Sequence, residues 1–171
     1  MADLREFEFI ELNWHQPSSW KKSYVLKFDE EIVATLDHES LWKNQAVGET
    51  AVGKWSMKIS GIFKPEFTLR KEGNDKNLIQ IPISLNKGKS IITFPSGKIY
   101  EWKRLGLMSN EFGWHKDGKL IYSFGYAISL TDKRRFKATF TKLNFCDEDL
   151  SLLSLIGIYF IANLHQGSIG G

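Results

Sequence analysis

Along most of this chain the apolar residues recur with a period of two. From Arg5 to Leu12, Phe7, Phe9 and (after Ile10) Leu12 alternate largely with acidic residues, which predicts a half-buried strand ending near Asn13. A loop at Pro17, Ser18 and Ser19 follows, and then SYVLKF and EIVATL flank Asp29 and Glu30 as a tight hairpin. KWSMKI sets Trp55, Met57 and Ile59 on one face and Lys54, Ser56 and Lys58 on the other. A turn at Ala51 to Gly53 precedes that strand, and Gly61 to Pro65 breaks the run after it. Leu41 to Glu49 fits either a further strand or a short helix. FTLRKEG, NLIQIPISL and KSIITF read as three more strands, with Pro82 marking an edge or a bulge because proline has no N–H to give a ladder. IYEWK, EFGWH, LIYSFGYAISL and RRFKATFTK complete the series, and PSGK (Pro95 to Lys98) and KDGK (Lys116 to Lys119) supply hairpin turns. About twelve short strands at spacings near ten to twelve residues are the cadence of an all-β barrel or sandwich.

The period disappears at Leu150 to Leu164, LSLLSLIGIYFIANL, where the polar side chains are Ser151, Ser154 and Asn163. A helix that is apolar all round is enclosed by lipid or by protein. Fifteen helical residues reach roughly 22 Å, against about 30 Å for a bilayer core. The following HQGSIGG offers neither Lys or Arg nor an interfacial Trp, so the run reads as a protein-buried helix over about 149–164. Its central side chains are Leu152, Leu153, Leu155, Ile156, Ile158, Tyr159, Phe160 and Ile161. Geometry joins helix and strands. Twelve strands about 4.8 Å apart and tilted by about 40° close into a barrel of roughly 24 Å diameter, which one central helix nearly fills. The expected fold is therefore a mainly β, twelve-stranded antiparallel barrel enclosing a central hydrophobic C-terminal helix.

Composition narrows the rest. With 171 residues, 42% of them hydrophobic, the chain fits a single domain over 1–171. MADLREFEF has acidic residues and no apolar leader core, and the one cysteine, Cys146, excludes an internal disulfide, so a cytoplasmic location is expected. The net charge of +3 arises from 23 basic and 20 acidic residues mixed along the chain, which is not a nucleic-acid footprint.

SYVLKFDEEIVATL, AVGKW with the following Lys58, FTLRKEG, FPSGKIYEWK, and a hydrophobic final helix after a strand rich in Lys and Arg resemble the tubby C-terminal-like superfamily. Its relatives include the LURP-one-related proteins and the phospholipid scramblases. The resemblance covers nearly the whole chain in pattern, and its motifs are mostly structural. It implies a twelve-stranded barrel threaded by the last helix, and no function by itself.

Chemical motifs are sparse. Gly88-Lys89-Ser90 echoes the end of a P-loop, but position 83 is Ile rather than the required Gly and a strand follows. Cys146 has no His at an activating spacing, and His15, His38, His115 and His165 lack any ligand spacing, so neither a catalytic residue nor a metal or cofactor is expected. Asp147, Glu148 and Asp149 precede the helix and read as its N-terminal cap. The calcium reading, which the scramblase resemblance raises, would need an acid at the twelfth position of the loop, where Ile158 stands. Six tryptophans are assigned to packing. The candidate site is the basic segment Lys133, Arg134, Arg135 and Lys137, able to hold a phosphate or an anionic lipid headgroup at about 1 kcal/mol per charge. Tubby proteins bind phosphoinositides through basic residues, but these four have no position-by-position match to that site.

The resulting expectation is a non-enzymatic binding or scaffold barrel, peripheral at a membrane, whose partner is anionic membrane lipid or another protein, with no transmembrane span. The alternatives are a membrane-anchored, scramblase-like protein whose helix leaves the barrel, or an enzyme or lipocalin-like carrier with a site assembled by the fold.

Overall fold

The computed structural model describes residues 11–17, 21–39, 44–84, 89–106, 109–127, 135–140 and 149–167. Among the described residues twelve strands precede one helix. The first six are β1 (Glu11–His15), β2 (Ser23–Phe28), β3 (Glu31–His38), β4 (Gln45–Thr50), β5 (Gly53–Ser60) and β6 (Glu66–Lys71). The remainder are β7 (Asn77–Pro82), β8 (Lys89–Thr93), β9 (Ile99–Arg104), β10 (Phe112–Lys116), β11 (Lys119–Ala127) and β12 (Arg135–Phe140), followed by α1 (Leu150–Gly167).

Alternation in the sequence becomes alternation in burial. Tyr24 and Leu26 of β2 are buried between half-buried and exposed neighbours, Trp55 and Met57 of β5 likewise, and Ser90 and Ile92 of β8 sit between exposed Lys89, Ile91 and Thr93. The undecided Leu41 to Glu49 region contributes β4 from Gln45, with 41–43 outside the described residues, as are residues 5–10 of the first strand expected from Arg5 to near Asn13. Pro82 is the last residue of β7, where its missing N–H breaks no ladder.

All strands are antiparallel neighbours in the order β7-β6-β5-β4-β3-β2-β1-β12-β11-β10-β9-β8. Sequence neighbours are joined by short connections, and the one long-range ladder pairs β1 with β12, from Glu11 opposite Thr139 to His15 opposite Arg135. The two end strands, β7 and β8, bring Cα atoms within 8 Å of each other, and no ladder joins them among the described residues.

The core lies on the concave side of this sheet and is organised by α1, whose residues are buried without interruption from Leu150 to Ala162. Phe160 shows how far the sheet curls. Its ring lies 5.0 Å from Phe67 in β6 and 5.8 Å from Trp102 in β9, the second strands from opposite ends of the sheet. Trp102 in turn packs on Phe112, Trp114 and Phe124, so aromatic rings fill the space between helix and wall. Polar atoms on the helix are matched as well. Trp114 Nε1 donates to the Leu153 carbonyl at 2.8 Å, and the Tyr122 and Ser154 hydroxyls meet at 2.7 Å. Close approach requires Gly157, where a Cβ would lie 2.2 Å from Phe124 Cζ.

Candidate functional site

In an antiparallel sheet successive turns fall at opposite ends, and α1 runs from one end to the other. It begins beside the β8–β9 turn, where the Tyr100 hydroxyl donates to Asp149 Oδ2 at 3.3 Å and Lys98 Nζ lies 3.8 Å from the same oxygen. The Asp149 carbonyl accepts the Leu153 N–H at 2.9 Å, which places Asp149 at the helix boundary as expected, while Asp147 and Glu148 lie outside the described residues. Toward its other end the helix sends the Tyr159 hydroxyl to the Asn44 carbonyl at 2.6 Å, and that carbonyl also accepts the Ile59 N–H at 2.9 Å. This second end carries the β5–β6 turn, the end of β3 and the start of β12.

The basic candidate site falls at that start. Lys133 and Arg134 lie outside the described residues. Arg135 opens β12 opposite His15 and Ala127, and Lys137 follows opposite Asn13 and Gly125. His15 and Asn13 are the half-buried positions that alternate with buried Leu12 and Trp14.

His38 closes β3 at the same end. Its ring stacks on Tyr159 at 5.8 Å and meets Tyr24 edge-on at 6.2 Å, and Nε2 is buried with no hydrogen-bond partner. Burial first, and then the Lys22 ammonium, lower its pKa to about 4 against an opposing pull from Asp37. Burial likewise holds the Tyr159 and Tyr122 phenols well above the usual tyrosine range. His38, Tyr122 and Tyr159 are therefore held in their neutral forms at neutral pH.

On the outer surface Lys89 and Lys103 clasp Glu101 at 2.6 and 3.0 Å, and hydrogen bonds from Lys89 and then Lys103 hold that carboxyl below its ordinary range. Lys89 of the Gly-Lys-Ser motif opens β8, so a strand follows the motif as expected, and its ammonium is engaged by the Glu101 carboxylate. His115, buried across from Glu101, is lowered by burial and then by Lys103. Two open clefts accompany these groups. One of about 370 Å³ is lined by Trp55, Arg70, Lys71, Glu72 and Asp75, with Lys71 Nζ 5.7 Å above the Trp55 ring. The other, about 420 Å³, lies between β7 and β8 against Ile81, Pro82, Lys89 and Ile91.

Among the described residues no three His, Cys, Asp or Glu side chains gather as a metal site, and no helix is long and apolar enough to cross a membrane. Cys146 lies outside them. One surface feature escaped the sequence reading, since Ile62 and Phe63 sit within the stretch taken as a break yet are 92% and 97% exposed. The available signal was two large apolar residues between a turn glycine and a proline. No family model, curated protein or solved structure matches the chain.

Proposed function

We propose that the chain is a cytoplasmic, tubby-like barrel that works as a binding module, contacting anionic phospholipid headgroups through Lys133, Arg134, Arg135 and Lys137. The observation that carries this reading is the unbroken burial of α1 from Leu150 to Ala162, which fills the concave side and leaves ligand contact to the outer surface. An enclosed small-molecule carrier would need that volume empty. The closed form of the barrel belongs to the same proposal. It is supported by the approach of β7 to β8 within 8 Å and by the contacts of Phe160 with β6 and β9, each one strand in from an end of the sheet.

Vesicle flotation tests the lipid reading. The chain should float with phosphatidylserine or phosphoinositide vesicles at low salt and stay behind with neutral ones, and binding should weaken as salt rises. Replacing Lys133, Arg134, Arg135 and Lys137 together by Ala removes about 4 kcal/mol of surface attraction at about 1 kcal/mol per charge, an affinity loss of about 1,000-fold. Equal behaviour on neutral and anionic vesicles at low salt would refute it.

A further inference from the structure

The end of the sheet at which α1 finishes bears an apolar point. Ile62 and Phe63 stand side by side in the β5–β6 turn with 92% and 97% of their surface exposed, so their side chains touch almost nothing of the protein. Single exposed apolar residues are ordinary, whereas two adjacent ones at the tip of a turn form a contiguous apolar surface.

The tip is built rather than loose. β5 and β6 remain paired up to Ser60 opposite Glu66, one residue from the turn, and the Pro65 carbonyl accepts the Ile83 N–H at 2.9 Å. Gly61 has φ +90°, a conformation that L side chains rarely adopt, and a Cβ there would lie 2.5 Å from the Lys64 carbonyl oxygen. Gly61 thus permits the turn that presents the two side chains outward.

The charges around the tip are mostly positive. Exposed Lys64 follows Phe63 directly and exposed Lys58 precedes it in β5, while the nearest acid in the turn's flanks, Glu66, accepts a hydrogen bond from Gln80 at 2.9 Å. A convex two-residue tip is a poor fit to a protein partner, since a stable interface buries about 800 Å² on each side. A bilayer needs no complementary pocket. Apolar side chains enter the boundary of its acyl region while lysines stay at the phosphates.

We propose that Ile62 and Phe63 insert into the interfacial region of an anionic bilayer, with Lys58 and Lys64 at the lipid phosphates. This rests on the membrane-docking reading above but on a patch to which β12 contributes nothing.

The experiment uses the full chain and vesicles of phosphatidylcholine with phosphatidylserine, compared for wild type, Ile62→Ser/Phe63→Ser, and the β12 quadruple alanine variant. The serine variant should melt as wild type does, because the replaced side chains are almost fully exposed, and should bind vesicles about tenfold more weakly at low and at high salt alike. In parallel, Phe63→Cys in a Cys146→Ser background carries an environment-sensitive fluorophore, whose emission should rise on binding and be quenched by lipids bearing shallow spin labels. Unchanged vesicle affinity of the serine variant, or a fluorophore that stays in water, overturns the insertion. If wild type binds and only the β12 variant is weakened, insertion fails and the headgroup reading stands. If only the serine variant is weakened, insertion stands and the β12 reading fails. Absence of wild-type binding to these vesicles removes the insertion and the phosphatidylserine form of the headgroup reading, and flotation with phosphoinositide vesicles then decides the rest of that reading.

Discussion

His38 is held neutral by its surroundings, and that makes it the clearest single-residue lever on stability. Its imidazole lies flat on Tyr159 with Nε2 buried, and its pKa falls from 6.5 to about 4. At neutral pH folded and unfolded chains both carry it uncharged, so it contributes no pH dependence there. Below pH 6.5 the unfolded chain takes up the proton and the folded chain does not, so stability is lost as pH falls through that window toward about 4. The loss should be on the order of 2–3 kcal/mol. Urea unfolding of wild type and His38→Gln at about pH 7.5 and about pH 4.5 checks this: the variant should lose less between the two conditions, and equal losses would exclude His38 as the cause.

At the scale of the element, α1 approaches the wall so closely that one hydrogen atom in place of a methyl is required. Gly157→Ala would raise helix propensity by about 1 kcal/mol, yet the new Cβ meets Phe124 Cζ at 2.2 Å. Phe124 is fully buried and boxed by Tyr122 and Trp102 at 4.3 and 5.4 Å, so it has nowhere to retreat. The steric term should win, with a net destabilisation of about 2–3 kcal/mol in urea unfolding. Combining it with Phe124→Leu should cost less than the two changes summed, by about 1 kcal/mol. The same close packing explains what was and was not legible in the sequence. β2, β3 and β5 announced themselves through large apolar residues on alternate positions. β4, QAVGET, did not, because its buried residues are Ala46, Gly48 and Thr50, small where Leu155 presses in, with a Cβ on Gly48 coming 2.9 Å from Leu155 Cδ1. The helix boundaries were legible from composition to within one residue at Leu150, although α1 continues to Gly167 rather than ending at Leu164. The basic segment could be read only as charge, since sequence gives no register, and the apolar tip at Ile62 was hidden by the turn residues around it.

For the whole molecule, helix and sheet are mutually necessary. Deleting everything from Leu150 onward removes about ten large buried side chains and on the order of 20 kcal/mol of burial, above the 5–15 kcal/mol of net stability typical of a domain. The truncated chain should be insoluble or lack cooperative unfolding, and a soluble, cooperatively melting product would place the helix outside the core. The seam between β7 and β8 is tested separately by amide exchange. In a closed barrel the N–H groups that face across the seam exchange slowly, whereas in an open sheet those of both end strands exchange within the dead time while the β1–β12 ladder stays protected.

The strands that form the wall all precede α1 in the chain. During synthesis, then, the twelve strands leave the ribosome before the segment around which they pack, each with a row of exposed apolar side chains and unpaired edges. The core cannot be completed until α1 is free of the exit tunnel, so the emerging strands are natural clients for a chaperone that shields edges until the centre of the molecule arrives.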